Sequence, residues 1–126
     1  MPTDTTPADR IVTRWQQAWQ ALDADAVAAL YAPDGTHQSA VVSRRMPDVP
    51  DGVLRGPEMI RSYARLAAAA MTAFRIDILD VFAKEDRAAV EYWRIINNDD
   101  ASRLRVVEIL VWNAAGQLTE VRVFHA

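Results

Sequence analysis

The sequence predicts an α+β fold in which three N-terminal helices pack on one face of a curved, mostly antiparallel sheet. Over the first 73 residues apolar side chains recur with the 3.6-residue period of a helix; from residue 74 onward they alternate with period 2. The connections in the second half are also short, "KEDR", "NNDDA" and "AAG", which makes successive strands antiparallel neighbours.

In "ADRIVTRWQQAWQALDA" the residues Ile11, Trp15, Trp19 and Leu22 form one apolar stripe on a first helix. Asp23 and Asp25 start a second, short helix, "DAVAALYA", which Pro33, Asp34 and Gly35 end. A strand is expected over 35–42, followed by "SRRMPDVPDGVLRG", whose prolines, aspartates and glycines read as a long surface loop. Such loops in compact domains often form functional rims. Gly56 and Pro57 open a third helix, "PEMIRSYARLAAAAMTA", with proline where a first turn tolerates it. Its inner face is expected to carry Met59, Ile60, Tyr63, Leu66 and Ala67. "FRIDILDVFAK", "RAAVEYWRII", "SRLRVVEILVWN" and "QLTEVRVFHA" then make four strands rich in Val, Ile and aromatics.

With 126 residues and 51% hydrophobic composition, the chain fits a single core over residues 8–126 after a polar, disordered lead at 1–7. Asp and Glu number 17 against 14 Lys and Arg, a net charge of -3, and the basic residues are scattered. A nucleic-acid partner is therefore not expected, because phosphate binding needs a concentrated basic footprint. The absence of cysteine excludes disulfides, thiol nucleophiles and cysteine-ligated zinc, and suits a reducing cytoplasm. No apolar run approaches a membrane span, and the N-terminus lacks the pattern of an export signal, so the expectation is a cytoplasmic protein with no membrane partner.

Three strings, "RWQQAWQALDADAVAALYAPDGTHQS", "LRGPEMIRSYARL" and "GQLTEVRVFHA", resemble the nuclear transport factor 2-like (NTF2-like) superfamily, especially its SnoaL-like polyketide cyclase and ketosteroid isomerase branches. The likeness extends over residues 8–126. It implies a cone-shaped fold with a deep pocket between the helices and the concave face of the sheet. The same scaffold hosts isomerases, dehydratases, epoxide hydrolases, cyclases and binding modules, so function has to be read from the residues.

Aligned with the isomerase pattern, Trp15 stands where that family keeps its oxyanion-binding tyrosine, and Trp19 lies one turn further along the same wall. His37 and Ser39 face inward together, with Ser39 in the place of the catalytic aspartate base. Glu108 takes the place of the family's protonated aspartic acid, flanked by Val106 and Leu110. Tyr63 and Met59 come from the third helix, and Val121, Val123 and His125 from the last strand. On strand 87–96 either Glu91, Trp93 and Ile95 or Val90, Tyr92 and Arg94 face the pocket; the turn lengths do not decide, and Trp93 is taken as inward.

These residues depart from the isomerase, because a serine hydroxyl is too weak a base to replace an aspartate unaided. Epoxide hydrolysis by an Asp, Arg, Asp set is disfavoured as well, since its last-strand aspartate corresponds to Val123. What remains is Glu108, His37 and His125 as acid–base candidates within an aromatic pocket. A glutamate beside tryptophans has its pKa raised by desolvation, and a histidine bonded to it would be held cationic. The expected chemistry is acid–base catalysis on a small, largely apolar carbonyl compound, of cyclase, isomerase or dehydratase type, with Glu108 paired to His37 or His125. The alternatives are a non-catalytic ligand-binding module, and a structural Glu108 paired to Arg94 or Arg105. A metal held by His37, Glu108 and His125 has no supporting spacing, and no phosphate loop is present, so no cofactor is expected. The resemblance also implies a homodimer through the outer sheet face, where Val107, Ile109 and Val111 alternate with the pocket residues.

Overall fold

The computed structural model describes residues 5–126. Its elements run α1 (Pro7–Gln20), α2 (Ala24–Ala29), β1 (Tyr31–Gln38), α3 (Ala40–Arg45), β2 (Val53–Arg55), α4 (Pro57–Ala70), β3 (Phe74–Ala83), β4 (Arg87–Ile96), β5 (Asp99–Trp112) and β6 (Leu118–His125).

Helix α1 starts with a capping box. The Thr6 hydroxyl accepts from the Asp9 amide at 3.1 Å, and the Asp9 carboxylate accepts from the Thr6 amide at 3.2 Å, with Pro7 in the first turn. Of the lead expected at 1–7, residues 1–4 lie outside the described residues, while Thr6 and Pro7 already belong to this cap. The buried stripe is Ile11, Val12, Trp15, Ala18 and Trp19. Leu22 falls beyond the helix end in a left-handed turn (φ 52°), not on the stripe as expected. Asp23 caps α2, accepting from the Ala26 amide at 3.0 Å.

The expected strand at 35–42 is displaced toward the N-terminus, since β1 opens at Tyr31. Pro33, Asp34 and Gly35 do not end a helix; they lie in an irregular stretch of β1 whose register against β6 shifts between Tyr31 and Thr36. Glycine is required at 35, because a Cβ there would sit 2.7 Å from the Leu118 carbonyl oxygen. Residues 40–45, expected as strand end and loop, are the short helix α3, and Ser39 is its cap, accepting from the Val41 amide at 3.1 Å. The rest of the expected loop contains β2, which pairs antiparallel with β1.

On α4 the buried residues are Ile60, Tyr63, Ala64 and Ala67, which share one face at i, i+3, i+4 and i+7. Leu66 lies off that face and is 44% exposed, against expectation.

The six strands form one curved, unclosed sheet in the order β2-β1-β6-β5-β4-β3, antiparallel except for β1 beside β6. Its inner face is built of cross-strand rows. Ala88, Leu110, Val121 and His37 make one; Val90, Glu108 and Val123 the next; Tyr92, Val106 and His125 a third. Helices α1 and α4 cover this face, and the core of Trp15, Ile60, Ile76, Leu110 and Val121 lies between the layers. Gln16 and Gln20 of α1 tie the helix to the free edge of the sheet: Gln16 Nε2 donates to the Ile76 carbonyl at 2.8 Å, and Gln20 Oε1 accepts from the Ile76 amide at 2.9 Å. Among the described residues, no helix is long and apolar enough to cross a membrane.

Candidate functional site

Between the helices and the inner face of the sheet lies a cavity of about 550 Å³, open mouth included. The tryptophans of α1 project one turn apart, so Trp15 and Trp19 form one wall. Tyr63 on α4 meets Trp19 edge-on, with ring centroids 6.3 Å apart. Glu108 and His37 come from below, on β5 and β1, while Arg94, Arg45 and His125 come from the ends of β4, α3 and β6.

Glu108 is 4% exposed, and each of its oxygens accepts one hydrogen bond. Trp15 Nε1 donates to its Oε2 at 2.8 Å, and the Tyr92 hydroxyl donates to its Oε1 at 2.8 Å. Trp15 and Tyr92 also pack edge to face, 5.4 Å between centroids. Burial raises the Glu108 pKa to about 7, and the two donated hydrogen bonds, which favour the carboxylate, offset only part of that rise. The group is therefore divided between acid and carboxylate near neutral pH.

His37 is buried as well, and its Nδ1 lies 2.8 Å from the Tyr31 hydroxyl. Among the described residues that hydroxyl has no other acceptor; where it donates to Nδ1, the imidazole proton is on Nε2. Burial, and then the nearby His125, lower the His37 pKa to about 4. The ring is neutral at physiological pH, and in that tautomer its Nε2–H, with no protein partner among the described residues, is a donor in the cavity wall. His125 is half-buried, its pKa lowered by burial and by Arg94 and Arg44.

The cavity brings together Trp15, Trp19, His37, Ser39, Tyr63, Glu108, Val123 and His125, as expected from sequence. The expected pairing of Glu108 with a histidine does not form. Its cross-strand neighbours are Val90 and Val123, which leaves each histidine in an adjoining row, and its oxygens are taken by Trp15 and Tyr92. Nor is Glu108 ion-paired: Arg105 lies 3.1 Å from Glu91 on the outer face, and Arg94 has no carboxylate within 4.0 Å among the described residues. Ser39 lines the cavity, but its Oγ serves the α3 cap.

Four expected lining residues lie elsewhere. Leu110 and Val121 point inward but are sealed in the core, and Met59 is part-buried with its sulfur 3.5 Å from the Arg55 amide. Trp93 is on the outer face, stacked under the guanidinium groups of Arg103 (4.6 Å) and Arg105 (5.1 Å). Pairing of Tyr92 with Val106, and of Val90 with Glu108, fixes the even-numbered residues of β4 as inward, so Tyr92 and Arg94 line the cavity. Sequence reading takes Trp93 over the Tyr92 and Arg94 set, and does not single out Arg45 or Phe74, which also line the cavity. The signal that could have found Tyr92 was the need of a buried Glu108 for a hydroxyl donor. Among the described residues, His37, Glu108 and His125 do not come together as a metal site.

The profile of the SnoaL-like domain family matches residues 12–121. Solved structures share the fold at low sequence identity. A SnoaL-like protein of unknown function from Burkholderia thailandensis superposes with a TM-score of 0.81 at 22% identity, over 100% of this chain and 99% of that one. A protein with a ketosteroid isomerase-like fold from Catenulispora acidiphila, solved with trimethylamine, gives 0.74 at 21% identity over 97% and 88% of the two chains. An NTF2-like protein of unknown function from Cytophaga hutchinsonii gives 0.70 at 15% over 100% and 95%. No curated protein matches the sequence significantly.

Proposed function

The chain belongs to the SnoaL-like domain family, and from that premise we propose acid–base catalysis on a small, largely apolar carbonyl compound, of cyclase, isomerase or dehydratase type, with Glu108 moving the proton. The observation that carries this reading is a buried, ion-pair-free carboxyl whose pKa is raised to about 7 inside an aromatic cavity.

The residues divide the work. Ionised Glu108 takes a proton from the carbon next to the carbonyl. The developing enolate oxygen accepts the His37 Nε2–H, a neutral donor that loses no proton at physiological pH. Protonated Glu108 then returns the proton to another carbon in isomerisation, or to a departing hydroxyl in dehydration; in aldol cyclisation the enolate carbon instead bonds to a second carbonyl carbon, whose oxygen takes up the proton. Trp15 and Tyr92 hold the carboxyl in one orientation throughout. Trp19, Tyr63 and Phe74 supply apolar walls for the substrate.

The test is deuterium exchange into the α-position of apolar ketones such as phenylacetone, followed by NMR. Exchange catalysed by the native chain and lost in Glu108→Gln supports the reading; exchange that survives the substitution contradicts it. A second reading, a binding module without turnover, is favoured by one observation: both Glu108 oxygens already have protein donors. It predicts ligand affinity unchanged in Glu108→Gln, with no exchange in either form.

We further infer that the outer face of the sheet seats a second copy of the chain, in a cytoplasmic protein. Phe82 (64% exposed) and Phe124 (54%) flank the part-exposed Val107 and Ile109 there. Sedimentation of a dimer that Phe124→Glu dissociates supports this; a monomeric native chain contradicts it.

A further inference from the structure

We propose that the ligand of the cavity carries a carboxylate, seated at the mouth against Arg94 and Arg45 while its apolar body reaches toward Glu108. The proposal rests on the cavity being the functional site described above, and it names the substrate class that site takes.

Five arginines of the described chain are partly buried: Arg45, Arg61, Arg75, Arg94 and Arg122. Arg61, Arg75 and Arg122 each have a carboxylate within 4.0 Å, namely Asp25 at 3.0 Å, Asp77 at 2.9 Å and Glu120 at 3.3 Å. Arg45 and Arg94 have none among the described residues, and these two are the arginines that line the cavity. Arg94 Nε is buried without a hydrogen-bond partner; Arg61 Nε and Arg122 Nε are too, but each of those has a carboxylate within 4.0 Å to balance its charge, and Arg94 has none among the described residues. A buried donor of a charged group left unmatched in the protein calls for a partner from outside it.

The surroundings reinforce the positive character. Arg44, exposed, and Arg45 stand close enough to Arg94 for their charges to interact, and Glu108, the acid lining the cavity, sits deeper and is divided between its neutral and ionised forms near neutrality. The Tyr63 hydroxyl is near enough to Arg45, Arg94 and Glu108 to feel the charge of each. Basic residues in the last turn of α3 complement its carbonyl ends. That accounts for Arg44 and Arg45, but not for Arg94, which comes from β4. A guanidinium fork matches a planar carboxylate, and a monoanion is less costly to desolvate among aromatic walls than a phosphate dianion.

The experiment is calorimetric titration of the full chain with two matched pairs, phenylacetate against phenylacetamide and octanoate against octanamide. Each acid is expected to bind about tenfold or more tightly than its amide, the span of one charge-assisted hydrogen bond. That preference is expected to shrink at high salt, to collapse in Arg94→Met and to weaken in Arg45→Met. If Arg94→Met does not fold, Arg45→Met and the salt dependence decide. Equal affinities for acid and amide, no measurable binding of either acid, or a preference that survives both arginine substitutions would overturn the proposal. Calorimetry does not depend on proton transfer, so loss of the acid preference with Glu108-dependent exchange intact removes the carboxylate alone. The reverse result removes the acid–base reading alone.

Discussion

At the floor of the cavity Glu108 and His37 are both pushed toward their neutral forms, one up to about 7 and the other down to about 4, while at the mouth Arg45 and Arg94 keep charges that no described carboxylate balances. Floor and mouth are built from the same strands. Glu108 and Arg94 sit on adjacent strands, β5 and β4, with side chains on the same face. The difference is depth. Side chains under the helices are stripped of water and desolvation dominates; side chains at the open ends of the strands keep some solvent and their charge. One end of the cavity is thus fitted to hold a charge, and the other to move a proton.

Trp15→Ala should produce the largest effect. It removes a fully buried indole and one of the two donors to Glu108, and should cost about 3–5 kcal/mol of stability by urea unfolding. A loss below about 1 kcal/mol would mean that the floor is not the packed region described here. Glu108→Gln should lower turnover roughly 10²–10⁴-fold once a substrate is found, with the fold retained.

The same variant sharpens the contrast through pH. The folded-state pKa of Glu108 lies above its ordinary value of 4.5, so the folded chain binds more protons than the unfolded chain between 4.5 and about 7. The stability this group contributes is present below pH 4.5 and is lost as pH rises to about 7. Glu108→Gln lacks that loss, so its stability relative to the native chain should climb across this window and level off above it. His37 acts with the opposite sign. Its pKa falls from 6.5 to about 4, so its contribution is present above 6.5 and is lost as pH falls toward 4. His125, also lowered from 6.5, adds a slope of the same sign, so between 4.5 and 6.5 the histidines partly cancel Glu108 in the native chain and the variant should show the histidine slope alone. Parallel pH profiles for the two proteins would break the account of the floor.

Tyr92→Phe should have a smaller effect, about 1 kcal/mol of stability. Because the Tyr92 hydrogen bond favours the carboxylate, its loss should raise the Glu108 pKa further. The smallest effect belongs to Trp93→Ala. Its indole lies outside the cavity against Arg103 and Arg105, so ligand affinity should be unchanged by titration calorimetry.

Much of this was legible in the sequence because period and burial coincide. The switch from helical to alternating apolar spacing at Phe74 marks the real boundary between the helices and the meander. Glu108 stood out as a lone carboxylate in an apolar strand, and burial bears that out. What failed was local geometry. Pro33, Asp34 and Gly35 carry turn chemistry that serves an irregular strand here, so β1 began earlier than expected. Val41 and Val42 have strand propensity, yet Ser39 caps a helix of six residues, too short to show a period. On β4 both alternating sets contain an aromatic residue, and the register against β5, which chooses Tyr92 over Trp93, is a tertiary fact with no local sign. The Tyr92 hydrogen bond to Glu108 followed from that choice and was missed with it.

The most direct test is a carbon-detected NMR titration of the Glu108 side-chain carboxyl in the free protein. The account predicts a midpoint near 7, moved higher in Tyr92→Phe. A midpoint near 4.5, the value of an ordinary glutamate, would show a solvated carboxylate and contradict the proton-moving role assigned to it.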